Sequence, residues 1–176
     1  MEEQELEQVT VKSVGMKWGL ILGVVLIGYS LIVQMAGLIG NQAVSWVSYI
    51  FMVGVIYMAQ KAFKEEGDGF MSYGKGLGLG MLVLLISSVI SSGFMYINMK
   101  FIDTTIIETI KEKQYDQMVE KGMPEEQIDA AIEMSASFMT PEFITIMAII
   151  GTLFIGFILT LIITAITKNA NPAEEV

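Results

Sequence analysis

Apolar residues in this chain gather into four long blocks separated by short polar punctuation. The first runs from Trp18 to Ile39, twenty-two residues without a charge, enough at 1.5 Å per residue to cross the roughly 30 Å hydrocarbon core of a bilayer. The second, 43–63, follows after only Gly40, Asn41 and Gln42, so the pattern predicts a tight antiparallel pair of spans. The third covers 72–101. The fourth starts at Thr140-Pro141-Glu142, a strong helix-start signal, and covers 142–166. The expected fold is all-α, an integral membrane four-helix bundle forming a single membrane domain over 1–176, with both termini on one side.

Between the third and fourth spans lies a segment of a different kind. Residues 103–142 hold ten acids against three lysines, a formal charge of −7 and most of the −9 of the whole chain. At 100° per residue, Glu108, Glu112, Asp116 and Glu120 form a four-apart stripe, with Ile106, Ile107, Ile110 and Met118 on the opposite face. This predicts an amphipathic helix that directly extends the third span. Gly122 supplies a C-cap, and Pro124 with Glu125 and Glu126 starts a second helix. That helix carries Ile128, Ala131, Ile132, Ser135 and Met139 on its apolar face and Glu126, Asp129 and Glu133 on its acidic one. Residues 103–140 therefore read as an extramembrane helical hairpin. Its carboxylates suit a cationic partner or weak calcium binding, but no EF-hand spacing accompanies them, and a solvated helix face is the plainer account.

Composition narrows the chemistry. The chain is 53% hydrophobic and 16% charged, against about 25% charged for an ordinary soluble domain. All ten of its basic residues are lysines, and it has no histidine and no cysteine. The usual zinc sites, His-ligated haem, Cys-ligated clusters, Ser-His-Asp triads and disulfides are thereby excluded. Glu2, Glu3, Glu5 and Glu7 give the wrong charge for a signal-peptide n-region, so the first span is expected to be retained. Lys12, Lys17, Lys61, Lys64, Lys75 and Lys168 fall on one side, close to span ends. Lys100, Lys111, Lys113 and Lys121 are spread through the long connection on the other. The positive-inside rule then places both termini in the cytoplasm.

No ionisable residue lies near the middle of a span, which removes the usual carriers of a proton-coupled mechanism. The polar groups inside are Gln34, Gln60, Asn98, Ser87, Ser88, Ser91, Ser92, Thr160 and Thr164. The serines have no histidine and no nearby lysine as base, so helix packing is their expected role. Small residues are ordered: Gly15, Gly19 and Gly23 recur every four residues, and Gly74, Gly76, Gly78 and Gly80 form two interleaved pairs continued by Ser87 and Ser91. Such seams let backbones approach closely, holding a bundle together or offering a homodimer surface. The GxGxG run lacks the strand and the Lys-Ser/Thr pair of a nucleotide loop. The fourteen methionines are too scattered for a copper relay. Trp18, Trp46, Tyr49 and Tyr73 are expected to form an interfacial aromatic belt.

Four spans with a tight first hairpin, the segment Phe70-Met71-Ser72-Tyr73-Gly74-Lys75-Gly76, the stretch Gly122-Met123-Pro124-Glu125-Glu126-Gln127-Ile128 and the final Thr164-Ala165-Ile166-Thr167-Lys168 together resemble the bacterial membrane family DUF4199. The resemblance runs from about Lys12 to Lys168. It implies an integral protein of the bacterial inner membrane and transfers no catalytic residue. Met123 stands where a capping Ser or Thr would suit the second hairpin helix better.

Three functions follow as expectations. The first is a non-catalytic scaffold or accessory subunit that presents the acidic hairpin to an envelope partner. The second is a small-molecule or lipid carrier acting as a dimer, with Gln34, Gln60, Asn98 and the serines lining a polar path. The last is an intramembrane enzyme, for which no acid-base pair is visible. The expected partners are the lipid bilayer and a membrane or envelope protein or a second copy. No cofactor, metal or nucleic acid is expected.

Overall fold

A computed structural model describes residues 9–171, and the charges at Glu2, Glu3, Glu5 and Glu7 lie outside them. The described residues form six α-helices and no strand: α1 (Val11–Met35), α2 (Gln42–Glu66), α3 (Tyr73–Ile97), α4 (Ile106–Glu120), α5 (Glu125–Ala136) and α6 (Pro141–Thr167). Four are long and apolar enough to cross a membrane: α1, α2, α6, and α3 with the five residues that continue it.

Each end of the first connection has a local cause. Thr10 caps α1, its hydroxyl accepting from the Ser13 amide while Ser13 returns a bond to the Thr10 backbone. The helix therefore begins seven residues before the apolar block. It also stops early. Gly37 takes a φ of +67°, and the Leu38 and Gly37 amides fold back on the carbonyls of Val33 and Gln34, the two bonds of a Schellman motif. Leu38 and Ile39 thus belong to the connection, which spans Ala36 to Asn41 rather than the three residues expected. Asn41 then caps α2 with its side-chain oxygen.

The third helix does not extend directly into the hairpin, contrary to the sequence expectation. After Ile97 it widens into a π-helical turn over Asn98–Ile102, and Asp103 adopts an extended backbone. The chain restarts as α4 at Ile106. Asp103 accepts from both the amide and the hydroxyl of Thr105, so the elbow is built by side-chain bonds that helical periodicity cannot reveal.

In the bundle, α1 packs on α2, α2 on α6, α6 on α3 and α3 on α1, with α2 and α3 also touching across the middle. α3 makes the two most extensive seams. The hairpin helices α4 and α5 pack on each other, with Ile106 and Ile128 fully buried. Gly122, at φ +73°, ends α4 in a second Schellman motif through the Gly122 and Met123 amides. Pro124 precedes α5 and no side chain caps it.

Candidate functional site

The glycine positions sort cleanly by face. A Cβ on Gly15 would lie 2.6 Å from Leu82 Cδ2, one on Gly19 2.8 Å from Ile86, and one on Gly23 3.1 Å from Ile90. Partners climb together in steps of four, the signature of two parallel helices in register. On the opposite face of α3 the order reverses: Gly76 meets Thr164, Gly80 meets Thr160, and Leu84 meets Gly156, an antiparallel seam. Gly156 belongs to this seam and was missed in the sequence, although its four-apart spacing with Thr160 and Thr164 carried the signal.

Among the described residues, nothing lies within 4 Å of a Cβ added at Gly74 or Gly78, so the packing expected at both positions is not made by any of them. The offset that sets Leu82 against Gly15 sets Gly78 level with Val11, the first residue of α1, so both glycines lie at or beyond the edge of the α1–α3 seam. Ser87 is buried and turns its hydroxyl to the Leu84 carbonyl, while Ser91 bonds back to Ser87. Both hydroxyls are satisfied within α3.

Two polar clusters mark opposite ends of the bundle. At one, Gln60 is fully buried, donating to the Gly76 carbonyl at 2.9 Å and to Thr164 Oγ1 at 2.8 Å, and accepting from Thr167. Lys64 caps the Thr167 carbonyl, and Met71 and Asn169 exchange both backbone hydrogen bonds. At the other, Asn98 donates to Gln34 at 2.6 Å, and Gln34 donates to Asp103 at 2.8 Å. Gln60 thus shares no path with Gln34 and Asn98.

The Thr105 hydroxyl and amide, backed by the Gln34 amide, hold the Asp103 carboxyl below its ordinary range. A carboxylate whose pKa is depressed in the folded protein lends stability above the unfolded value, near pH 4, and loses it as pH falls through the folded value. Acidification below about pH 4 is therefore expected to loosen the elbow. Amide exchange at Thr105 and Ile106 should accelerate there, and Asp103→Asn should abolish the pH step. An unchanged step in that variant would assign it to another group.

Between the helices, on the half of the bundle that carries the α1–α2 turn, lies an open cleft of about 460 Å³. All four long helices line it. Its wall is mainly apolar, with Leu26, Val33, Met52, Met95 and Ala148, interrupted by hydroxyls from Ser48, Ser91, Ser92 and Thr152. Its lining includes no lysine, aspartate or glutamate. Ser48 and Thr152 were not singled out from the sequence; an isolated hydroxyl in an apolar helix leaves no periodic trace.

The residues expected to form an aromatic belt differ in exposure. Trp46 is exposed and stacks edge-on against Tyr49, and Tyr73 reaches the Leu161 carbonyl. Trp18 instead packs against the core, and its Nε1 is buried without a hydrogen-bond partner.

The acidic residues Glu108, Glu112, Asp116, Glu120, Glu126, Asp129 and Glu133 are all exposed. Among the described residues, the ion pairs are Lys17–Glu66, Lys61–Glu65 and Lys100–Glu142, and none involves these seven. No three acids converge to hold a metal ion there. The hairpin rests on the α1–α2 turn, where Gln117 lies 3.4 Å from the Gly40 carbonyl and Lys113 covers Gly40.

No curated protein and no solved structure matches the chain. A family model does match, over residues 17–169, most of the chain's length, and its description is "Protein of unknown function". With four spanning-length helices and this coverage, the chain belongs to the DUF4199 family.

Proposed function

We propose that this protein is a non-catalytic accessory subunit of a bacterial cytoplasmic membrane, holding the α4–α5 hairpin outside the bilayer for an envelope partner with a basic surface. The observation that carries this reading is the state of the hairpin acids: all seven are exposed and none is spent on an ion pair. Half of α4 also shows Tyr115 and Val119 beside Glu112, Asp116 and Glu120. Exposed apolar anchors flanked by charge are what a protein interface uses, the anchors for affinity and the charges for encounter rate and specificity. The seating of Gln117 on Gly40 supports a fixed presentation rather than a loose tether.

Reversing Glu108, Glu112, Asp116 and Glu120 to lysine is expected to abolish co-purification of the partner in mild detergent, with the unfolding midpoint changed little because none of the four is in an ion pair and four-apart like charges repel by a few tenths of a kcal/mol whichever their sign. A partner retained equally by the variant would overturn the reading. The chain has no cysteine, so Gln127→Cys reports the hairpin's side: labelling of intact spheroplasts by an impermeant maleimide is expected, and labelling only after lysis would reverse the orientation.

A second reading, a carrier for a small or lipid-like molecule acting as a dimer, is favoured by one observation, the cleft among the four long helices.

A further inference from the structure

We infer that the cleft between α1, α2, α3 and α6 is a binding site for an uncharged single-chain amphiphile with a hydroxyl-bearing head, of the monoacylglycerol type. Binding requires no transport, so the site is independent of the accessory role proposed for the hairpin.

Ser48 on α2, Ser92 on α3 and Thr152 on α6 all line the cleft. In an apolar helix a serine or threonine normally turns its hydroxyl to a carbonyl three or four residues back, as Ser30, Ser88 and Ser91 do here. Among the described residues, the hydroxyls of Ser48, Ser92 and Thr152 have no such bond and no other protein partner. For Ser48 a cause is visible. Tyr29 crosses from α1 and donates to the Val44 carbonyl at 2.7 Å, occupying the acceptor that Ser48 would use. Ser92 is only 6% exposed. All three hydroxyls are therefore free to bond a molecule in the cleft, and a ligand hydroxyl would supply the partner that the protein does not.

Along α2 the lining runs from Asn41 to Met52, about 16 Å at the helical rise. That is roughly one leaflet of a 30 Å hydrocarbon core. The volume, about 460 Å³, falls within the roughly 300–1,000 Å³ of small-molecule sites and is matched by one aliphatic chain with a small head.

Among the described residues no lysine or acid lines the cleft, and Lys113 only covers Gly40 at its edge, so a phosphate or carboxylate head seated among the three hydroxyls would lack a counter-ion in contact with it, at a cost that an uncharged head avoids. The wall selects heads that donate and accept hydrogen bonds without charge.

The test uses the full chain in nanodiscs with a monoacylglycerol carrying a photoreactive diazirine in its tail. Saturable labelling of one molecule per chain, on peptides from α2, α3 and α6, is the expected result. Unlabelled monooleoylglycerol should compete, and oleate or lysophosphatidylglycerol of the same chain length should compete about tenfold or more less well. The triple variant Ser48→Ala, Ser92→Ala, Thr152→Val is expected to weaken binding about tenfold or more. Ala148→Phe, which adds bulk on the cleft wall, should abolish it, with helix content and unfolding midpoint confirming that each variant folds. Labelling that never saturates and ignores all variants would show bulk lipid merely filling the gap. Equal competition by the charged lipids would overturn the proposed head group. Hairpin charge reversals should leave labelling unchanged whichever way partner recruitment turns out.

Discussion

Gly80→Leu is expected to cost about 3 kcal/mol or more of bundle stability, beyond the usual penalty for overpacking a well-filled core. A Cβ at Gly80 already falls 2.3 Å from Thr160 Cγ2 and 3.0 Å from its hydroxyl oxygen. Thr160 is fully buried, and its hydroxyl is bonded to the Gly156 carbonyl, so rotating it away breaks a bond and meets a new clash. The α3–α6 seam must open. Within a bilayer no hydrophobic force pulls helices together, since lipid tails are as apolar as leucine, and close backbone packing is the main source of association. Losing it is therefore disproportionately costly. The control is Gly78→Leu, two residues away on the open face. There leucine should be neutral or stabilising by up to about 1 kcal/mol, from its better helix propensity. Denaturant titration in bicelles reads both. Similar losses at the two positions would mean that the open face is covered in the assembled protein, and that the seam assignment based on one chain is incomplete.

The second large effect is expected at Gln60. Gln60→Ala removes a side chain buried among three helices, leaving a void and depriving Thr164 and Thr167 of their partner. The cavity and the lost bonds together should cost about 2–4 kcal/mol. Gln60→Met fills most of that volume without hydrogen bonding. It should cost only about 1 kcal/mol, because Thr167 retains its bond to the Ile163 carbonyl and measured interhelical hydrogen bonds in membranes average less than that. The ratio of the two variants separates volume from polarity. If Met proved as damaging as Ala, the amide itself would be what holds this end of the bundle together.

Much of the bundle is legible in the sequence because bilayer crossing demands length and apolarity together, and both are counted directly. The four-apart glycines disclose seams for the same reason: close approach requires a missing side chain. What stayed hidden depends on choices made between elements. The edge of the α1–α3 seam, beyond which Gly74 and Gly78 meet no described side chain, depends on where α1 begins, and the Thr10–Ser13 cap marks that point. The break after α3 depends on Asp103 finding Thr105 and Gln34, one of them sixty-nine residues away. Trp18 at a span end suggested an interfacial anchor, but the face it occupies on α1 turns it inward. The cleft is the least legible feature, since four helices must splay at one end before isolated hydroxyls such as Ser48 and Thr152 come to share a wall.

The bonds that tie α2 to the end of α6 impose an order in time. Gln60, Lys64 and Gly69 all bond to residues synthesised about 100 positions later, at Thr164, Thr167 and Asn169. At roughly 5–20 residues per second, α2 waits on the order of 5–20 s in the membrane before Gln60 gains its two partners on α6, with only the Gly76 carbonyl available sooner. The first two helices are thus an unfinished unit throughout synthesis of α3 and the acidic hairpin. The last helix acts as the latch: in a nascent chain stalled before it, Gln60 keeps its bond to Gly76 but lacks the donor that Thr167 brings to its oxygen, a mark that separates unfinished copies from complete ones for an insertase or a quality-control protease.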